Sequence, residues 1–291
     1  MRNFMVGAIA FLSAGSALAF GTINPGPQSA EHEKITRRAL VCAATPSNYS
    51  CLEAQTLDQL AGKTGTFGAI GYPDSSTVIF KTRAHCDDGD DPAQLVACRD
   101  WMQTHMDRAV SRAAGLLNAQ GEIRPDQVTV SPGCVWTGDL SGRAKCNVLQ
   151  SLGIVMHASQ DFYSHSNWTD STADTAPAGL GKTVPAPAIS LRGTTPFPAD
   201  VISGCFGVSC GSRVKHSALN KDTGPIGATV GPGTTPRGNH GDNFANAVRV
   251  ATADTMDKWS LLRERLIATY GAEKGTRMIC AIARDDPAAS C

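Results

Sequence analysis

The sequence predicts an all-α protein: a single-domain bundle of several helices carrying one long irregular insertion. Three observations carry this expectation. Apolar residues recur at helical spacing in successive segments, each bounded by Ser, Pro or Gly. No run of alternating apolar and polar residues marks a half-buried strand. Hydrophobic residues make up 42% and charged residues 18% of 291, which suits one large folded domain.

The elements follow in order. Residues 1–19 read as an export signal. "MRNF" supplies a positive charge, "MVGAIAFLSAGSALA" is apolar and small, and Ala17-Leu18-Ala19 has the form of a cleavage site. The run is too short to span a bilayer comfortably. The expectation is therefore a secreted or periplasmic chain whose domain runs from 20 to 291 and starts at Phe20. Pro25, Gly26 and Pro27 keep the start irregular. Ser29 can cap a helix over about 30–43, with Glu31 and Glu33 in its first turn. "CLEAQTLDQLAG" gives a second helix, and Gly, Pro and Asp make 63–91 loop-like. Pro92 opens a long helix to about 119. Residues 145–168 form a strongly apolar helix suited to the core. Pro, Gly, Ser and Thr then dominate 169–239, where helical periodicity disappears; loops this long are often functional. A long amphipathic helix follows over 239–271.

All ten cysteines lie beyond the signal and fall into neighbouring pairs: Cys42 and Cys51, Cys86 and Cys98, Cys134 and Cys146, Cys205 and Cys210, Cys280 and Cys291. Connectivity does not follow from sequence, but no C-x-x-C is present, and short-range disulfides in an oxidising compartment fit better than thiolate-bound zinc. Basic and acidic residues balance at 26 each. No bulk field steers the chain to nucleic acid or an anionic membrane, so no stable nucleic-acid partner is expected.

The stretch "HASQDFYSHSNW" carries His157, Asp161 and His165 at four-residue steps. Each step advances only about 40° around a helix, so the three share a face. They could be satisfied core groups, a solvated helix end or metal ligands. An unpaired acid in an apolar helix is costly, so Asp161 calls for a cationic partner. Further candidates are His32 at the first helix start, Asp74 in "YPD", His85 in "HCDDGDD", His216, and His240 at the start of the last long helix. His105 reads as an ordinary helix residue. Asp87, Asp88, Asp90 and Asp91 suit a solvated loop or a cap, or else calcium. Zinc takes His nitrogen and carboxylate oxygen, and Asp161 has two oxygens with which to bridge ions.

This ordered series resembles the zinc-dependent phospholipase C and P1 nuclease superfamily: an aromatic start after cleavage, a helix-start His, a YPD loop, a His before an acidic run, H-x-x-x-D and a later His. "HASQDFYSHSNW" is most similar to its Het-C-like branch. The resemblance implies two or three zinc ions. One would be held by the amine and carbonyl of Phe20 with His32 and Asp161, a second by Asp74, His85, His157 and Asp161, and a third by His165 and His240. It also implies that Asp74 lies near the nucleophile as a catalytic group. The phospholipase branch follows its last His with a Glu one turn on; here Phe244 stands there, leaving Asp242 or Asn243 as substitutes and His216 with Asp222 as a rival pair. The implied activity is phosphodiester hydrolysis, on phospholipid head groups with transient membrane-surface contact. The alternatives are a nuclease, or a non-catalytic recognition or toxin module stabilised by zinc.

Overall fold

One helix organises the fold. The computed structural model describes residues 20–22, 28–43, 49–75, 78–136, 142–171, 176–181, 189–207 and 209–291; the signal read at 1–19 lies outside them. In chain order the helices are α1 (Glu31–Leu40), α2 (Ala54–Ala61), α3 (Pro92–Ala113), α4 (Pro125–Val128), α5 (Ala144–His165), α6 (His216–Leu219), α7 (Asn243–Tyr270), α8 (Ala272–Ala283) and α9 (Pro287–Ser290). Among the described residues there is no strand, only isolated bridges such as Ser166 with Ser203 and Cys205 with Lys215. No helix there is long and apolar enough to cross a membrane.

Every residue of α5 is buried. Apolar and small residues recur on every side of it, so no face is wholly polar, and a helix of that kind belongs at the centre. Around it pack α3, α7, α2 and the 3₁₀ turn Ala69–Asp74. Gly153 sets that last contact. A Cβ there would lie 2.5 Å from the Ala69 carbonyl carbon and 2.7 Å from the Ile70 amide nitrogen. The absent side chain thus lets the turn sit directly on the α5 backbone. A hydrogen bond fastens α7 to α5: the Ser159 hydroxyl of α5 donates to Asp254 of α7, whose other oxygen lies 2.5 Å from Lys258 Nζ one turn on along α7.

Two boundaries differ from expectation. Ser29 does not cap α1. The cap position is Ala30 in left-handed conformation, and the Glu31 carboxylate accepts from the amides of Ser29 and Gly21, each at 3.0 Å. The last long helix begins at Asn243, not near 239, because 234–242 turns back on itself with the Arg237 carbonyl accepting from the His240 amide. Beyond Gly271, at φ +82°, a further helix (α8) follows that the sequence reading does not include.

The five cysteine pairs expected from proximity are the five disulfides, with Cα–Cα separations of 5.1–5.9 Å. They suit an oxidising environment. Among its described residues the stretch between α5 and α7 holds one short helix, α6, and part of it is tied inward. Asp170 is paired at 3.0 Å with Lys221 and at 2.6 Å with Arg237, and all three side chains are buried.

Substituting Gly153→Ala should push the 69–74 turn off α5 and cost about 1–3 kcal/mol in urea unfolding, as overpacking does. Unchanged stability would show that the turn yields freely.

Candidate metal centre

Helix α5 presents His157, Asp161 and His165 on one face, and other elements close on them from several sides. Helix α1 brings His32, the 69–74 turn ends in Asp74, and the segment after the 3₁₀ turn Thr82–Ala84 brings His85 and Asp87. The stretch between α5 and α7 contributes His216 and Asp222.

The first cluster gathers around Asp161. His32 Nε2 lies 3.1 Å from Asp161 Oδ1, whereas His85 Nδ1 and His157 Nε2 each lie 2.9 Å from Oδ2. The two carboxylate oxygens thus face different partners, as in a bridging ligand. Asp74 Oδ1 stands 3.7 Å from His157 Nε2 and 3.9 Å from His85 Nδ1, and its Oδ2 accepts from the Thr22 hydroxyl.

Hydrogen bonds on the far sides of two rings decide what their near sides offer. His157 Nδ1 is 2.8 Å from the Ile70 carbonyl, which can only accept. That nitrogen therefore carries a proton. His32 Nδ1 is 2.8 Å from Gln160 Oε1. The Gln160 amide is oriented by its other end: Nε2 donates to the hydroxyls of Thr36 and Thr255, and the Thr255 hydroxyl itself donates to the Ala251 carbonyl. Gln160 thus accepts from His32. With Nδ1–H committed on both rings, both Nε2 atoms offer lone pairs towards Asp161. Lone pairs facing a carboxylate at about 3 Å repel unless a proton or metal cation lies between them. His32 Nε2, Asp161 Oδ1, Asp74 Oδ1 and His85 Nε2 are all buried without a hydrogen bond. This donor set fits a divalent cation.

The charges in the cluster are strongly coupled. Burial would lower the His157 imidazole, yet Asp161 and Asp74 outweigh it and raise its pKa. Burial would raise the Asp161 carboxyl, yet His157 and His32 hold it well below the ordinary range.

A second cluster adjoins the first. His165 Nδ1 lies 2.9 Å from Asp87 Oδ1 and its Nε2 3.2 Å from Asp222 Oδ1. The His216 ring packs edge-on to His165 at 4.2 Å, with its Nε2 3.9 Å from Asp87. Asp87 Oδ1, His165 Nε2, both His216 nitrogens and Asp222 Oδ2 are buried without hydrogen bonds. His165 is raised well above 6.5 because Asp87 and Asp222 outweigh burial, and His216 is lowered by burial and by His165.

Of the residues read from sequence, His32, Asp74, His85, His157 and Asp161 come together, and His165 stands beside them. Phe20 is fully buried, its ring 6.0 Å from that of His32 and 6.2 Å from that of Phe244. His240 does not join: it lies partly exposed in the turn before α7, and His216 stands at His165 in its place. The acidic run separates by role and forms no oxygen cage for calcium. Asp87 faces His165, Asp88 and Asp90 hold Arg213, and Asp91 caps α3 through the Ala93 amide. The sequence reading offers Asp87 only as one acid of a possible calcium-binding run, not as a partner of His165 or His216.

No known protein family matches the chain, and neither does any curated protein or solved structure.

Three outcomes follow. Gln160→Leu should lower divalent-metal affinity by about 10–100-fold, as loss of a ligand's orienting partner does; a competitive chelator titration reads this. The metal-free protein should also show opposed pH effects. The raised His165 stabilises fully below about pH 6.5, and that contribution fades as pH rises through its folded value. The depressed Asp161 stabilises above about pH 3.8, and its contribution fades as pH falls through its folded value. Metal must displace the His165 proton, so uptake near neutral pH should release protons and strengthen as pH rises. Calorimetry in buffers of different ionisation enthalpy measures the release; uptake without protons would refute the assignment.

Proposed function

We propose that this chain is an exported zinc metallohydrolase that cleaves phosphodiesters, with phospholipid head groups as its substrate class. The observation that carries the reading is the convergence of His32, Asp74, His85, His157 and Asp161, with unpaired imidazole and carboxylate atoms facing one another inside the fold. Nitrogen and carboxylate donors without thiolate suit zinc among the common divalent ions. The ordered motif series resembling the zinc-dependent phospholipase C and P1 nuclease superfamily supports the substrate class. The signal-like start and the disulfides support export to a secreted or periplasmic location.

His32, His85, His157, Asp74 and Asp161 would hold ions at the first cluster, and Asp87, His165, His216 and Asp222 an ion at the second. Zinc there supplies Lewis acidity towards a phosphate oxygen and activation of water. The protein's own groups set the rest. Asp161, with an oxygen towards each side, spaces the histidines. Asp74 is held through one oxygen by the Thr22 hydroxyl and turns the other towards His85 and His157. Ser75, next to Asp74, is partly exposed at the end of the 69–74 turn, and this is the side from which substrate would reach the centre. A nuclease on the same centre fits less well, since a neutral chain with 6% aromatic residues offers little for backbone attraction and base stacking.

The test is metal analysis of the chain starting at Phe20, with hydrolysis assayed side by side on lecithin vesicles, a soluble choline-phosphate ester and single-stranded DNA. Bound zinc with release of phosphocholine is expected, and Asp161→Asn should abolish both. Zinc without turnover of any phosphodiester would remove the enzymatic reading, and cleavage of DNA alone would establish the nuclease.

A further inference from the structure

Cys86 stands between His85, which belongs to the first cluster, and Asp87, which belongs to the second. These three consecutive residues are the shortest covalent link between the clusters. The conformation of the middle one determines where both neighbours point.

That conformation is unusual. Cys86 has φ +52°, in the left-handed region that side chains other than glycine disfavour. Its surroundings hold it there. The amides of His85 and Asp87 both donate to the Thr82 carbonyl, each at 3.1 Å, and Ser203 Oγ donates to the Cys86 carbonyl at 2.5 Å. Cys86 Sγ lies 3.0 Å from the Ala158 carbonyl oxygen, next to His157 on α5, and is bonded to Cys98 on α3. Both cysteines are fully buried. The disulfide therefore anchors the bracket His85-Cys86-Asp87 to α3, with its sulfur in contact with α5.

We propose that the Cys86–Cys98 disulfide is a positioning element for both metal clusters, so that loading of each depends on the oxidised bond. The inference rests on the metal-binding reading above. With the bond intact, the left-handed turn is maintained and His85 and Asp87 diverge towards their separate partners. When it is cleaved, two electrons and two protons convert it to a pair of thiols, with a thiol or phosphine as the reductant. The backbone at Cys86 then relaxes to negative φ, and both ligands rotate away together. A chain kept in a reducing compartment would accordingly remain metal-poor until exported.

The experiment compares the intact chain with three paired variants: Cys86→Ala with Cys98→Ala, Cys86→Gly with Cys98→Ala, and Cys280→Ala with Cys291→Ala as a distant control. Bound zinc per chain and its affinity against a chromophoric chelator are measured beside far-ultraviolet circular dichroism. The variant with Cys86→Ala should lose affinity at both clusters by at least about 10-fold, the loss typical of a disturbed ligand support. The control should match the parent. The variant with Cys86→Gly should recover part of the loss, because glycine takes the left-handed conformation without steric cost. Parental affinity in the Cys86→Ala variant would overturn the proposal while leaving the metal reading intact; absence of zinc from the parent would overturn both. Should the Cys86→Ala variant fail to fold, phosphine reduction of the zinc-loaded parent decides. Zinc release before loss of helical signal supports the proposal, and release only with unfolding overturns it.

Discussion

The structure depends on burying ionisable groups together rather than apart. Asp161 sits in the most deeply buried helix, where an isolated carboxylate would be strongly disfavoured. Imidazoles from α1, α5 and the segment after the 82–84 turn surround it. The requirement that this carboxylate have cationic partners ties α1 and the two turns to α5. Removing one partner leaves charge stranded in the core, and that cost is generally larger than the net worth of the pair.

The arrangement is graded outwards from α5. Gln160, Thr36 and Thr255 fix the tautomer of His32, and the Ile70 carbonyl fixes that of His157. The turn that supplies Ile70 is seated by Gly153, whose missing side chain admits the backbone. Orientation of a reactive nitrogen thus traces back to a single glycine one turn earlier on the same helix. The Asp170, Lys221 and Arg237 ion network does similar work for the second cluster, because Lys221 precedes Asp222 in the chain and is fully buried.

Much of this is legible in the sequence because it is local. Four-residue spacing puts His157, Asp161 and His165 on one helical face, apolar content all round places that helix at the centre, and nearest-neighbour cysteines give the disulfides. What is illegible is long-range. The family resemblance favours His240 over His216 as a ligand, yet His240 stays partly exposed in the turn before α7 while His216 reaches His165, where Gly204 leaves room for the His216 backbone. Asp87 looks like one of several loop acids, and only the tertiary fold separates it from Asp88, Asp90 and Asp91. Helix α8 escapes the sequence reading because Gly271 resembles an end, whereas here it is a sharp corner after which the chain packs back on α7.

The disulfide pattern bears on how the protein is made. No bonded pair is separated by more than 12 positions, and the pairs do not interleave. A chain emerging from its N-terminal side can thus complete each bridge with the sulfur that appears next, before a competing thiol is in reach. Closing so small a ring is entropically cheap, so correct pairing is favoured from the first encounter and calls for little reshuffling. In an oxidising environment maturation can then proceed bridge by bridge, and the histidines of the central helix meet a framework already stapled.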